Sequence, residues 1–104
     1  MSKREIGFLL EDILEAGEKI KSYTAGFSKE TFFSDDKTID AVIRNLEIIG
    51  EASNRIPEEF KIENAEIPWR QLVGLRNRII HEYFGVDLDI IWNIKQNDLQ
   101  ECLD

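Results

Sequence analysis

Cysteine occurs once in this chain, as Cys102, and histidine once, as His81. A single thiol closes no disulfide within the chain, so the fold must rest on packing, and such sparing cysteine use fits a reduced intracellular protein. One Cys and one His cannot furnish a four-ligand zinc site of the usual kind within one chain, so no metal and no cofactor is expected. Proline appears twice and glycine six times in 104 residues, which favours long regular elements. Long apolar runs are missing as well. Ile6, Phe8, Leu9 and Leu10 are followed at once by Glu11 and Asp12, which breaks any signal-peptide core. No stretch approaches the length of a bilayer span. The expected location is the cytoplasm, with no membrane partner.

Positive charge is also in short supply: 13 Lys and Arg face 21 Asp and Glu, for a net charge of −8. Broad, non-specific binding to nucleic acid needs many phosphate-neutralising cations, and this balance argues against it while leaving room for a concentrated basic site. What the chain does have is 42% hydrophobic and 33% charged residues, a globular composition. Its length suits one domain, 1–104, with a modest core.

Apolar residues recur at helical spacing through most of the chain. Ile6, Leu9, Leu10, Ile13, Ala16 and Ile20 predict a helix over 3–22, closed by Gly26. Ser28 and Thr31 predict a single capped turn that carries Phe32 and Phe33 into the core. Ile39, Val42, Ile43, Leu46, Ile49 and Ile56 mark a second long helix over 37–55. Ser34, Asp35 and Asp36 are its cap candidates. Gly50, Ala52 and Ser53 are small enough to let a neighbouring helix come close. Pro57 ends that helix or starts a short turn through Phe60, and 61–67 read as a loop. Pro68 fits the first position of a third helix, with Trp69, Leu72, Val73, Ile79 and Ile80 as its stripe and Gly85 as its end or bend. Asp87 can cap a last helix over 88–103. No strand pattern is present, and no internal repeat or linker. The expected architecture is an all-α, up-and-down antiparallel bundle of four main helices plus short helical turns.

One stretch carries chemistry: Leu75-Arg76-Asn77-Arg78-Ile79-Ile80-His81-Glu82-Tyr83. Arg70, Arg76 and Arg78 lie between Trp69 and His81 with no acid among them, a positive island in an acidic chain. A solvated, ion-paired helix face would look the same on charge alone. At about 100° per residue, Arg76 and Tyr83 fall within roughly 20° of each other, on the line of Trp69, Leu72, Ile79 and Ile80. An arginine on such a line must be paired, hydrogen-bonded or snorkelling outwards. His81 departs from Arg76 by roughly 140° and shares a face with Asn77 instead. One ideal helix cannot aim Arg76, His81 and Tyr83 at one point. Either the helix loosens near Tyr83 and Gly85, or a second copy of the chain completes the site.

The string Arg76, four residues, His81, one residue, Tyr83 resembles the signature of HEPN domains, in which a polar residue, here Asn77, commonly follows the Arg. Three fixed residues alone would recur by chance in roughly one chain in several hundred of this length, so the flanks matter. Ala41-Val42-Ile43-Arg44-Asn45-Leu46-Glu47-Ile48-Ile49-Gly50-Glu51-Ala52 is similar to the second main helix of HepT-like proteins. Ile67-Pro68-Trp69-Arg70 and Tyr83-Phe84-Gly85-Val86-Asp87-Leu88 resemble the segments on either side of their motif. The likeness extends over most of residues 35–92. It implies a HEPN-like helical bundle that works as a homodimer, with motif residues of two subunits meeting at a cleft. It implies a toxin that cleaves RNA without a metal ion. It further implies a minimal nucleotidyltransferase as partner and antitoxin, able to add AMP to Tyr83.

These residues suit that chemistry. RNA brings its own nucleophile, the 2′-hydroxyl. Histidine titrates near neutrality and can move protons in either direction. Arginine stays charged and offers a planar fork of donors to phosphate oxygens. His81 is therefore the expected general acid/base and Arg76 the phosphate clamp. Asn77, Arg78 and Tyr83 are expected to position substrate, and Arg70 to add an RNA contact. With one His per chain, a dimer would supply the second proton-transfer group. Two other readings stay open. One is a catalytically silent HEPN module that binds a nucleotidyltransferase, which the acidic balance favours. The other is a plain helical dimerisation domain, which leaves the Arg76–His81–Tyr83 coincidence unexplained.

Overall fold

Sequence periodicity turns into three long helices and two short ones. The computed structural model describes residues 1–83, with side chains through Leu75 and at Asn77. The expected helix over 88–103, its cap Asp87, the helix end at Gly85, and Cys102 lie outside the described residues. The elements are α1 (Lys3–Thr24), α2 (Lys29–Phe33), α3 (Asp36–Arg55), α4 (Glu58–Glu63) and α5 (Trp69–Tyr83). No strand occurs among the described residues, and the all-α expectation holds.

Local chemistry sets the helix ends. Ser2 and Glu5 form a capping box at the start of α1, the Ser2 hydroxyl accepting from the Glu5 N–H at 3.1 Å and the Glu5 carboxylate accepting from the Ser2 N–H at 3.4 Å. Gly26 then takes a positive φ of 78°, a backbone conformation that glycine adopts without the Cβ penalty other residues meet. Ser28 and Thr31 make a second reciprocal cap on α2. Of the three cap candidates for α3, Asp35 takes the role, its carboxylate accepting from the Thr38 N–H at 3.1 Å. Ser34 instead donates its hydroxyl to the Thr31 carbonyl and closes α2. Pro68 stands one position before α5, and its carbonyl accepts the helix's Leu72 N–H.

α3 is the central element. It packs against α1 on one side and α5 on the other. Leu9 of α1 shares a groove with Ala52 and Arg55 near the end of α3, while Lys19 shares one with Asn45 nearer its start. The two helices therefore run in opposite directions, as the bundle reading requires. Every residue of the predicted α3 stripe is buried, from Ile39 to Ile56. Leu9, Ile13, Ala16 and Ile20 of α1 are buried too, and Phe32 seals the end of the core with no exposed surface. Each such aliphatic or aromatic side chain contributes about 1.5–3 kcal/mol when taken fully out of water.

Two departures from the sequence reading matter for the site. The segment 61–67 is not all loop: α4 continues through Glu63. Leu75, left out of the α5 stripe, is 1% exposed and belongs to the core. No helix among the described residues is long and apolar enough to cross a membrane.

Candidate functional site

α5 carries the motif, and its N-terminal end is held at a corner built with α4. The Asn64 side-chain amide donates to the Phe60 carbonyl at 2.9 Å and closes α4. The Asn64 carbonyl in turn accepts from the Trp69 indole N–H at 3.0 Å. The rings of Phe60 and Trp69 meet edge to face, with centroids 6.1 Å apart and planes at 73°, the arrangement their quadrupoles favour. Trp69, Leu72 and Leu75 then sink into the core against α3. These contacts fix both the axis of α5 and its rotation about that axis.

That rotation sorts the motif. Trp69, Leu72 and Leu75 are buried, whereas Arg70, Gln71 and Asn77 are exposed. At about 100° per residue, the helical register carries the line of Trp69 and Leu72 on to positions 76 and 83. The opposite line runs through Arg70, Gly74, Asn77 and position 81. Arg76, Arg78, His81 and Tyr83 thus all sit on the last two turns of α5. By register, Arg76 and Tyr83 continue the core-facing line and His81 the exposed one. Their side chains lie outside the described part of the molecule. Of the expected site side chains, Asn77 is described, and it is exposed.

The electrostatics of α5 are local. From Ile67 to His81 the chain has three arginines and no acid. The first turn of α5 contains no acidic residue, so no carboxylate offsets the partial positive charge of that helix end. Gly74, on the line of Arg70 and Asn77, is partly exposed and has nothing within 4 Å of where a Cβ would lie among the described residues.

Other grooves are differently built. One of about 400 Å³ between α1 and α3 mixes Arg44 and Arg55 with Asp12, Glu47 and Glu51 around Ile48. Among the described residues its lining comes from α1 and α3 alone. Among the described residues, no group of three or more His, Cys, Asp or Glu is arranged to hold a metal ion.

Comparison with known proteins decides the family. The family model for HepT-like ribonucleases matches residues 13–104. The chain belongs to the HepT-like ribonuclease family. A protein of Thermococcus cleftensis named "Probable ribonuclease HepT" is 48% identical over 97 residues, covering 93% of this chain and 88% of the relative. Two proteins of Methanocaldococcus jannaschii, each named as a "putative RNase", are 41% and 40% identical, covering 95% and 97% of this chain and 91% and 87% of the relatives. No solved structure matches. As a HepT-like chain, this one carries its motif on the helix whose position and rotation are fixed by the Asn64–Trp69 corner.

Sequence reasoning overlooked Lys61. It was read as part of a loop, yet as an α4 residue it lines a groove together with Arg70. Recognising Glu58-Glu59-Phe60-Lys61-Ile62-Glu63 as one helical turn and a half would have brought it to notice.

Proposed function

We propose that this HepT-like protein is an endoribonuclease that needs no metal ion and serves as the toxin of a toxin–antitoxin pair. The observation that carries the reading is the intact Arg76-x4-His81-x-Tyr83 motif on a single helix, in a chain nearly half identical to a relative named as a ribonuclease. In the proposed reaction the RNA 2′-oxygen attacks the adjacent phosphorus, and the bond from phosphorus to the 5′-oxygen breaks. One proton leaves the 2′-hydroxyl and one reaches the departing 5′-oxygen. A cyclic phosphate and a 5′-hydroxyl result. His81 transfers the protons, and Arg76 neutralises charge building on the phosphoryl oxygens, where a fixed guanidinium acts most strongly. Asn77, Arg78 and Tyr83 position the strand.

The register of α5 supports a site completed by two subunits. Positions 76 and 81 differ by roughly 140° around one helix, so a single chain divides its phosphate clamp from its acid/base group. A homodimer joining two α5 ends would bring both kinds of group, and two copies of His81, to one cleft. The proposed antitoxin is a minimal nucleotidyltransferase that adds AMP to Tyr83. The adduct would bring bulk and negative charge beside Arg76 and occupy the phosphate position.

A catalytically silent binding module is the second reading, favoured by the net charge of −8. Purified protein incubated with RNA in EDTA separates the two. Cleavage that disappears in both His81→Ala and Arg76→Ala supports the enzyme. Binding of the nucleotidyltransferase without any cleavage of RNA supports the module.

A further inference from the structure

A groove of about 590 Å³ lies where α4 meets the start of α5. Lys61 and Arg70 line it, with Ile62, Pro68 and Val73 as its apolar surface and Glu58 as its one acidic residue. Three features set it apart. Ile62 is 69% exposed, a large apolar side chain left in water beside two cations. Neither Lys61 nor Arg70 is engaged in an ion pair among the described residues, although Glu58 lies on the same short helix as Lys61. And Arg70 begins the exposed line that runs by register through Gly74 and Asn77 to position 81, eleven residues or about 16 Å further along the helix. Among the described residues, nothing lies within 4 Å of where a Cβ at Gly74 would stand on that line.

We propose that this groove binds the single-stranded RNA that flanks the scissile bond, a reading that rests on the ribonuclease function proposed above. A backbone phosphate a few nucleotides from the cut sits between Lys61 and Arg70. Its base lies on the apolar surface of Ile62 and Pro68. The strand reaches His81 along the ledge at Gly74 and Asn77. Cations that follow the backbone beside an apolar platform for a base are the general recipe for binding single strands without reading sequence. The arrangement also explains how so acidic a chain can hold RNA: its contacts are concentrated along one helix face. Duplex RNA would not fit this use, because its bases are turned inwards and cannot rest on Ile62.

The test uses the full chain. The cut in a long single-stranded RNA is mapped first, and an oligonucleotide is then trimmed to the nucleotides next to that cut. The double variant Lys61→Gln/Arg70→Gln should lower kcat/KM on the long RNA by about tenfold or more, chiefly through KM, and leave cleavage of the trimmed substrate at the wild-type rate. The slope of log binding constant against log salt should fall by about 1.4, two phosphate contacts at about 0.7 each. Gly74→Glu introduces a carboxylate on the line between Arg70 and Asn77 and should show the same split between long and trimmed substrates, with circular dichroism confirming a wild-type fold. Equal charge loss on α3, Lys37→Gln/Arg44→Gln, should leave the salt slope as it was. Equal losses on long and trimmed RNA, or an unchanged salt slope in the groove variants, would overturn the proposal. If the wild-type chain cut no RNA, the ribonuclease reading would fall, and the salt slope measured with a labelled single strand would still decide the groove.

Discussion

Ser53 should be replaceable by alanine with a gain in stability. It lies in the last turn of the central helix with no exposed surface, and its Oγ has no hydrogen-bond partner among the described residues. A hydroxyl buried without a partner costs about 1–3 kcal/mol in protein mutational data. In a helix interior, alanine is also favoured over serine by up to about 0.7 kcal/mol. Against these gains stands the loss of a few dispersion contacts of about 0.1–0.2 kcal/mol each, because only one atom is removed. The balance is about 1–2 kcal/mol in favour of Ser53→Ala. For a domain of this size that corresponds to a rise in Tm of about 5–10 °C. Urea denaturation followed by circular dichroism measures it, at one fixed protein concentration because association with a second copy adds to apparent stability. Ser53→Thr adds a methyl group to a site with no spare room and should cost about 1–3 kcal/mol. A loss of 1 kcal/mol or more in Ser53→Ala would refute the reasoning, since it would mean that the hydroxyl holds a partner whose bond outweighs its burial. The expected gain should leave RNA cleavage untouched, because Ser53 is a fully buried residue of α3 and lies outside the motif helix.

Further outcomes follow from the same contacts. Phe32→Ala removes a fully buried ring at the end of the core and should cost about 3–5 kcal/mol in the same denaturation assay; a cost below 1 kcal/mol would mean that the α2 plug is dispensable. Gly26→Ala forces a Cβ into a backbone with φ of 78° and should cost about 1–2 kcal/mol, whereas a neutral result would show the turn relaxing to another conformation. If the proposed nucleotidyltransferase acts on Tyr83, incubation with it and ATP should raise the intact mass by one AMP in wild-type protein and by none in Tyr83→Phe; an adduct that persists in Tyr83→Phe would place the modification elsewhere.

Much of the fold was legible because helical burial is periodic. The Ile39–Ile56 stripe needed no more than a count of spacings, and all of it is buried. The cap at Ser28 and Thr31 and the terminator Gly26 were legible because their chemistry is local. Features that depend on a neighbouring element were not. Asn45, a polar residue outside the apolar stripe, is buried, with its amide donating to the Ala41 carbonyl at 2.8 Å. Phe8 reads as apolar and is 53% exposed, with the Arg4 guanidinium 5.6 Å from its ring centre. The resemblance around Arg76, His81 and Tyr83 was legible only with its flanking segments, whereas the mismatch in angle between Arg76 and His81 followed from spacing. Which of the two lines faces the core required the burial of Trp69, Leu72 and Leu75. That Lys61 and Arg70 line one groove depended on how the corner at Asn64 and Trp69 places α4 beside the start of α5, and no sequence period encodes that.

Subunit complementation probes the proposed two-subunit cleft most directly. Arg76→Ala and His81→Ala chains, each inactive alone, are mixed, unfolded and refolded together, and RNA cleavage is measured in EDTA. A cleft built from two subunits gives the mixed dimer one guanidinium and one imidazole, enough to clamp the phosphate and transfer one of the two protons with water serving the other, so a small but measurable part of the wild-type activity should return. Two inactive proteins that stay inactive after mixing, with mixed dimers demonstrated by mass, would contradict the account and confine the chemistry to one chain.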